Sequence, residues 1–234
     1  MEVDVRYGPG SSIAFNPADE SITKTQGQSL GPIDCSAQCN PPCQFHWIKP
    51  NGTVVDGPKL EIPSLSKNDH GIFTCHTGNG YGNNVTKNMQ LTINYGPESV
   101  KLSPSTPTYT VSEGDTMPSI NCTASCRPQC TLMWTGPYVP GNTTSDLILH
   151  DINRNQKGTF YCTAINKVGS NMSSNVEVDV RYQAKVKNMA INTTTTVEEN
   201  TTVMFTCLIE GNPAPTVTWS LNSKILQATE GSNR

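Results

Sequence analysis

The sequence predicts an all-β protein in which Greek-key β-sandwiches follow one another in tandem as an extended rod. Three observations predict it. The spacing of four cysteines and one tryptophan is repeated after 87 residues. Alternating apolar and polar stretches, separated by turn residues, return about every 8–12 positions. Charged residues are only 15% of the 234 residues, while Thr, Asn, Ser, Gly and Pro are abundant, which favours strands and turns over helices.

The cysteine repeat sets the predicted domain organisation. The first set is Cys35, Cys39, Cys43, Trp47 and Cys75, and the second is Cys122, Cys126, Cys130, Trp134 and Cys162. A third, incomplete copy begins at Cys207, with Trp219 again 12 residues on. A period of this size corresponds to one small domain, so the chain is a tandem array.

We expect domains at 8–95 and 96–182, preceded by a terminal strand at 1–7 and followed at 183–234 by the N-terminal part of a third domain. The segment Val-Asp-Val-Arg-Tyr at 3–7 supports the first border, because it returns at 178–182, where the second repeat ends. The chain is therefore expected to be a fragment of a longer protein.

Alternation predicts the strands within each repeat. In the second repeat, strands that we label B, C, E, F and G are expected at 119–122, 131–134, 147–149, 159–164 and 175–180. In the first repeat, strands E, F and G are expected at 60–62, 73–75 and 89–93. Because successive side chains of a strand point to opposite faces, Phe160, Cys162 and Ala164 should point into the core, and Tyr161 and Thr163 should face outward.

Motifs around the last cysteine of each repeat resemble the immunoglobulin superfamily. Residues 69–75, Asp-His-Gly-Ile-Phe-Thr-Cys, with Asn79 and Gly82, resemble its motif Asp-x-Gly-x-Tyr-x-Cys-x-x-x-Asn-x-x-Gly. The second repeat carries the same register at Gly158, Phe160, Cys162, Asn166 and Gly169. Phe73 and Phe160 replace the motif's tyrosine, so the hydroxyl bond of a tyrosine corner is absent. Gln156 replaces its aspartate, so the charge pair at that corner is in doubt in the second repeat.

The turns and borders extend this resemblance. Gly-Asn-Pro-Ala-Pro at 211–215 resembles the turn between strands B and C of I-set domains. The Tyr-Gly-Pro borders at 7–9 and 95–97 resemble those of carcinoembryonic-antigen-related adhesion molecules, siglecs and hemicentin-like proteins. The resemblance implies I-set or constant-2-like domains. The separation of 40 positions from Cys35 to Cys75 is too short for the additional strands of a variable-type domain.

Four cysteines per repeat allow three disulfide pairings. The resemblance implies the pairs Cys35–Cys75 and Cys122–Cys162, which leaves Cys39–Cys43 and Cys126–Cys130 as small local rings. Loop entropy gives such a short ring only about 2 kcal/mol, so its larger effect is to stiffen a turn. A zinc site at Cys39, Cys43 and His46 is the alternative. The position aligned with His46 is Met133, and the ligands of a repeated site should repeat.

Cysteine use and sequons indicate an extracellular location. Nine cysteines in paired spacings are typical of an oxidising compartment. Seven Asn-x-Ser/Thr sequons predict glycosylation, at Asn51, Asn84, Asn121, Asn142, Asn171, Asn192 and Asn200. The sequence has neither a signal-peptide pattern near Met1 nor 18 consecutive apolar residues that could insert into a membrane.

Charge and motifs argue against several function classes. The net charge is −3 and no Lys/Arg cluster occurs, so we expect neither nucleic acid nor an anionic membrane as partner. Phosphate-binding loops and hydrolase motifs are absent, so no enzymatic activity, cofactor or metal is expected.

One surface patch is a candidate for binding. His46, Ile48, Thr74 and His76 flank the predicted core residues Trp47 and Cys75, so all four should point outward on the sheet of strands C, F and G. These strands are neighbours in the fold, which would bring the histidines close together. The alternative interpretation is that the two histidines are ordinary solvated surface residues.

The predicted function is an extracellular segment of a cell-surface or matrix adhesion and recognition protein. Its partners would be other cell-surface or extracellular proteins, with a second copy of the chain among the candidates. The whole protein would be secreted or anchored in the plasma membrane. A soluble immune-recognition protein and the ectodomain of a signalling receptor are the two alternatives.

Overall fold

The computed structural model describes residues 3–139, 144–189, 198–200 and 207–230. Every regular element in these ranges is a β-strand, apart from two single turns of 3₁₀-helix at Lys67–Asp69 and Arg154–Gln156. The prediction of an all-β fold is confirmed. No helix within these ranges is long and apolar enough to cross a membrane.

Eighteen strands are present in the described residues. In the first repeat they are β1 (Ala14–Asn16), β2 (Ser21–Thr25), β3 (Leu30–Ser36), β4 (Gln44–Ile48), β5 (Val54–Asp56), β6 (Lys59–Ile62), β7 (Gly71–Gly78) and β8 (Val85–Ser103). Next come β9 (Thr108–Ser112), β10 (Ile120–Arg127), β11 (Thr131–Thr135), β12 (Asp146–Leu147), β13 (Gly158–Ile165), β14 (Ser170–Met172) and β15 (Val176–Met189). The region predicted to hold the third repeat contains β16 (Cys207–Asn212), β17 (Thr216–Leu221) and β18 (Lys224–Glu230).

The chain divides into two compact units. The first comprises Met1–Ser99, Ala124–Thr131 and Ala164–Asn171, and the second comprises Val100–Thr123, Leu132–Thr163 and Met172–Arg234. Both β8 and β15 continue across a predicted border without a break. The domain boundaries drawn from the repeat therefore stay a prediction.

In the first unit, two sheets enclose one core. The smaller sheet has the order β1-β3-β6. In the larger, β5, β4, β7 and β8 are antiparallel neighbours, and β2 joins β8 in parallel. Trp47, Phe73 and Cys75 are completely buried, and Phe15 stacks on Trp47 with its ring centroid 5.1 Å away. The indole N–H of Trp47 donates to the carbonyl oxygen of Pro58 at 3.0 Å, so this buried polar atom is satisfied.

The second unit has a core of the same kind. Strands β11, β13, β15 and β16 lie side by side in that order, β9 joins β15 in parallel, and β10 pairs with β12. Phe160 and Cys162 are completely buried, and Trp134 is 2% exposed. The indole N–H of Trp134 donates to the carbonyl oxygen of Ser145 at 3.3 Å. Each repeat thus provides a tryptophan N–H with an acceptor 11 residues further along the chain.

The predicted alternation along β13 is confirmed. Phe160, Cys162 and Ala164 are buried, while Tyr161 and Thr163 are half-buried and face outward. Phenylalanine in place of tyrosine therefore fills the core without needing a hydroxyl partner.

β5 is not among the strands predicted from the sequence of the first repeat. This strand pairs with β4 through Trp47↔Val55, after a turn in which the N–H of Lys49 donates to the carbonyl oxygen of Thr53. Three residues and a tight turn with Gly52 at φ +83° are enough to add an edge strand to the sheet.

Candidate binding face

The register of β4 and β7 brings the four predicted contact residues together. Trp47 lies opposite Cys75 and both point into the core, so the next pairs on either side, His46↔His76 and Ile48↔Thr74, point outward. We call these four residues the histidine face. The imidazole rings of its two histidines are stacked, with centroids 4.9 Å apart and planes at 10° to each other.

The histidine face continues onto the two neighbouring strands. Asp56 on β5 lies opposite His46, and Thr86 on β8 lies opposite His76, so one row of side chains crosses four strands. The next row holds Val54, Ile48, Thr74 and Asn88, and the hydroxyl of Thr74 donates to Oδ1 of Asn88 at 2.9 Å.

Sequence reasoning missed part of this surface. Ile48 was the apolar side chain expected to be exposed there, but it is half-buried, whereas Val54 is 54% exposed. Val54 belongs to β5, which is not among the strands predicted from the sequence. The signal that could have found it is the Asn-Gly pair at residues 51–52, which is typical of a hairpin turn.

The two histidines line one side of a groove of about 570 Å³ at the end of the sheet. Gly78 and Asn84 lie further along this groove, which we call the histidine groove, and Pro41 and Pro42 contribute to its wall. The surface is therefore concave beside the histidine face.

Burial and charge both act on His76. Partial burial is the larger cause and the neighbouring His46 the smaller, and together they lower the pKa of His76 below its usual value near 6.5. The neutral imidazole is therefore favoured in the folded protein. At neutral pH this surface presents an uncharged ring that can both donate and accept a hydrogen bond.

The structure links the eight cysteines of the two repeats as the family resemblance implies. The bonds are Cys35–Cys75, Cys39–Cys43, Cys122–Cys162 and Cys126–Cys130. Within the described ranges, Cys207 is a half-buried free thiol.

The alternative zinc site has no support in this arrangement. The two cysteine sulfurs near His46 are bonded to each other, so they do not offer thiolates to a metal. Across the described part of the chain, no three His, Cys, Asp or Glu side chains lie close enough together to hold a metal ion.

The predicted glycosylation sites differ in whether the side-chain nitrogen of the asparagine already donates a hydrogen bond. Asn51 and Asn84 lie in exposed loops, and in neither does this nitrogen donate a hydrogen bond to any described residue. Asn121 is half-buried in β10 and donates to Asp146 at 3.0 Å. Asn171 donates to the carbonyl oxygen of Pro97 at 3.3 Å.

The other three sequons add little to the candidate face. Asn200 lies in an exposed turn with φ +69°. Asn142 and Asn192 lie outside the described residues.

Family models match most of the chain. A family model described as Immunoglobulin domain matches residues 14–93 and 99–180, and one described as Immunoglobulin I-set domain matches residues 184–233. Contactin-5 of Rattus norvegicus is 25% identical over 96% of this chain, which covers 21% of that protein. Sialic acid-binding Ig-like lectin 10 of Homo sapiens is 26% identical over 82% of the chain, which covers 30% of that protein.

A solved structure shows the same fold. The crystal structure of Dpr2 Ig1-Ig2 in complex with DIP-Theta Ig1-Ig3 matches 76% of this chain and 66% of its own, with a TM-score of 0.54 and 16% identity. The chain thus spans less than a third of the length of the two relatives named above. Since the Immunoglobulin domain model covers more than half of its residues, the chain belongs to the immunoglobulin superfamily.

Proposed function

We propose that this chain is an extracellular segment of a cell-surface or matrix adhesion and recognition protein, and that it binds other proteins through the histidine face. The observation that carries the proposal is the stacked pair His46–His76 beside Ile48 and Thr74, which forms a half-buried outward surface on the larger sheet of the first unit. The proposed role is binding and not catalysis.

The chemistry of the face supports a protein partner. The centres of protein interfaces are depleted in charged residues and enriched in rings and other side chains that lose water at little cost. The histidine face presents two imidazoles, one aliphatic group and one hydroxyl, and partial burial lowers the pKa of His76, which disfavours its charged form. The acidic group in the same row, Asp56, is on the edge strand β5, where a polar rim belongs.

The opposite sheet is a poorer candidate. Its outward positions on β6 are Lys59 and Glu61, whose charged groups lie 3.9 Å apart and are more than half exposed. An exposed ion pair of this kind contributes little to binding unless the two charges stay paired when a partner removes the surrounding water.

The relatives support the class of partner. In the solved complex reported above, the immunoglobulin domains of Dpr2 are bound to those of DIP-Theta. We therefore propose a partner that itself carries immunoglobulin domains, including a second copy of this chain. A specific interface needs about 800 Å² from each partner, so the rows that continue onto β5 and β8 would also take part.

The test is binding by variants of the face. Beads coated with the chain should aggregate with one another, or bind a panel of secreted ectodomains that carry immunoglobulin domains. Ile48→Asp and His76→Asp should each weaken that binding by about tenfold or more, because each places a charge at the centre of the interface.

The matched control is Ile148→Asp in the second repeat, where the isoleucine is 53% exposed. This variant should bind like the wild type, and circular dichroism and thermal unfolding should show that all three variants fold. Wild-type binding by both face variants, or no partner in either assay, would contradict the proposal.

A further inference from the structure

Asn84 is placed so that its side chain enters the histidine groove. It is followed by Val85 and Thr86, and Thr86 lies opposite His76. Because side chains two apart in an extended chain point to the same face, Asn84 is on the same face of the sheet as His76. Both residues line the groove.

Gly78 makes room for this side chain. A Cβ atom built on Gly78 would collide with Oδ1 and Cγ of Asn84. The side chain of Asn84 therefore lies over the backbone at the end of β7. Gly78 does not have a positive φ, so its lack of a side chain is needed here for space alone.

The atom that accepts a glycan is available at Asn84. N-linked glycosylation joins the first sugar to the side-chain nitrogen of asparagine in an Asn-x-Ser/Thr sequence. The nitrogens of Asn121 and Asn171 are already used, by Asp146 and by the carbonyl oxygen of Pro97. That of Asn84 donates to no side chain or carbonyl within the residues that the structure describes, and Asn84 is exposed.

We propose that Asn84 carries an N-linked glycan whose first sugars lie along the histidine groove and cover His46 and His76. Occupancy of Asn84 would then determine whether the histidine face is open. The covering of the histidines follows from the geometry alone, whereas its effect on a partner rests on the proposed function.

The groove suits such an occupant. Its volume of about 570 Å³ is within the range of about 300–1,000 Å³ of sites that hold small organic molecules. Sugar hydroxyls can hydrogen-bond to the nitrogens of neutral imidazole rings, and the lowered pKa of His76 favours its neutral form. The acetamido and hydroxyl groups of the first sugars would thus meet polar partners along the groove.

The second repeat lacks this combination. Asn171 is 87 residues after Asn84, so it is the equivalent sequon. The residues equivalent to His46, His76 and Gly78 are Met133, Thr163 and Ile165, and Ile165 is 42% exposed. A glycan at Asn171 therefore has neither the histidine pair nor the space above a glycine.

The test measures how accessible the histidines are in the glycosylated chain. The chain and its Asn84→Gln and Asn51→Gln variants are secreted from human cells, and glycopeptide mass spectrometry measures occupancy. Diethyl pyrocarbonate, which acylates neutral imidazole, then labels each folded protein, and the rates for His46 and His76 are compared with that of exposed His150.

We expect Asn84→Gln to raise the labelling rates of His46 and His76 several-fold and to leave His150 unchanged. Asn51→Gln removes a sequon of the same unit at the other end of β4, so it should change none of these rates. Enzymatic removal of glycans from the folded wild type should reproduce the rise, which serves as the second measurement if Asn84→Gln is poorly secreted. An unoccupied Asn84, or equal rates with and without its glycan, would overturn the proposal.

The labelling needs no partner, so it tests the covering even if the proposed binding is wrong. Where a partner has been found, the Asn84→Gln variant should bind it more tightly than the glycosylated wild type does. The double variant Asn84→Gln with Ile48→Asp should not show this gain. If the glycan protects the histidines from labelling but its removal leaves binding unchanged, the proposed glycan position stands. The proposal that the glycan controls binding at the histidine face would then be wrong.

Discussion

The side-chain nitrogen of Asn79 lies 2.9 Å from the carbonyl oxygen of Tyr7 and donates a hydrogen bond to it. A second bond from the same nitrogen reaches the carbonyl oxygen of Pro41 at 2.7 Å. Asn166, 87 residues later, donates in the same way to Tyr95 and Pro128, at 2.9 Å in both cases. The asparagine of the family motif thus joins a border tyrosine to the turn after β3 in the first repeat and after β10 in the second.

Loss of this asparagine should destabilise the first unit. Asn79→Ala and Asn166→Ala each remove two hydrogen bonds from a partly enclosed site, and we expect each to lower the free energy of unfolding by about 1–3 kcal/mol. Urea unfolding followed by tryptophan fluorescence measures this. Asn83→Ala, at an exposed loop position, is the matched control and should have little effect. Equal stability of Asn79→Ala and Asn83→Ala would contradict the prediction.

The small disulfide rings hold the second acceptor of each asparagine. Pro41 lies between Cys39 and Cys43, and Pro128 between Cys126 and Cys130. A ring that fixes this turn also fixes where the proline carbonyl points. The duplicated rings therefore support the same contact twice.

Removing a ring should cost less than removing an inter-sheet disulfide. Loop entropy predicts a loss of about 2 kcal/mol for Cys39→Ser with Cys43→Ser, against about 4 kcal/mol for Cys35→Ser with Cys75→Ser. If the ring orients the carbonyl that accepts from Asn79, the two changes should not be additive. Removing the ring together with Asn79→Ala should then lower the free energy of unfolding by less than the sum of the two separate losses. Unfolding measurements on the single and combined variants test both points, and peptide mapping without reductant should find no free thiols at Cys39 and Cys43.

Much of this geometry could be predicted, and the reasons for the rest are physical. Alternation around Trp47 and Cys75 was enough to place His46 and His76 side by side, because strand pairing transmits a period of two across the sheet. The contacts of Asn79 and Asn84 could not be derived, since they join residues that are distant in sequence or depend on a missing side chain at Gly78. The cysteine spacing constrained the core but did not predict β5.

The lowered pKa of His76 predicts that the first unit loses stability in mild acid. A group whose folded pKa is depressed binds fewer protons when folded, so the free energy of unfolding should fall as the pH drops from about 7.5 through 6.5 towards the lowered pKa. The titratable residues in its row are His46 on β4 and Asp56 on β5. His76→Gln should reduce this slope, measured by urea unfolding at several pH values, whereas exposed His150→Gln should retain it. If His76→Gln leaves the pH dependence of the free energy of unfolding unchanged, the prediction that His76 causes the loss of stability is wrong.

Arg154 forms the centre of an ion-pair network in the second unit. Its guanidinium makes a two-pronged contact with Glu113 at 2.7 and 2.9 Å, bonds Glu210 at 2.9 Å and lies 4.1 Å from the centre of the Tyr182 ring. Bonds from Arg154 are the main cause that lowers the pKa of Glu113 to about 2. Sequence reasoning gave Arg154 no role.

This network predicts a second, more acidic loss of stability. Since the folded pKa of Glu113 is depressed, its contribution is present above its usual value of 4.5 and should be lost as the pH falls towards 2. Glu113→Gln should flatten the acid-unfolding curve in that range, and Arg154→Lys should also weaken the contact because lysine cannot make the two-pronged bond. Circular dichroism during acid titration measures both, with Glu61→Gln as an exposed control. Identical curves for wild type and Glu113→Gln would rule the prediction out.

The repeated segment Val-Asp-Val-Arg-Tyr makes the same contact at both places where it occurs. The side-chain nitrogen of Asn212 donates to the carboxylate of Asp179 at 2.8 Å and to the carbonyl oxygen of Val180 at 2.7 Å. Asn40 donates to Asp4 and to the carbonyl oxygen of Val5, both at 2.9 Å. In each case the asparagine directly precedes a proline, in the turn after β3 for Asn40 and at the end of β16 for Asn212. The aspartate and its asparagine therefore act as a pair.

The middle border shows what replaces this pair. The residues equivalent to Asp4 and Asn40 are Thr92 and Arg127, so aspartate and asparagine occur together or not at all. This pattern predicts that Asp179 and Asn212 are energetically coupled. We expect Asp179→Ala and Asn212→Ala each to speed hydrogen–deuterium exchange of the β16 backbone amides, because each removes a contact that joins β16 to β15. The double variant should be less destabilised than the sum of the two, by about 0.5–3 kcal/mol. The matched control is Thr92→Ala with Arg127→Ala, whose effects on the free energy of unfolding should be additive. Additive effects of Asp179→Ala and Asn212→Ala would contradict the predicted coupling.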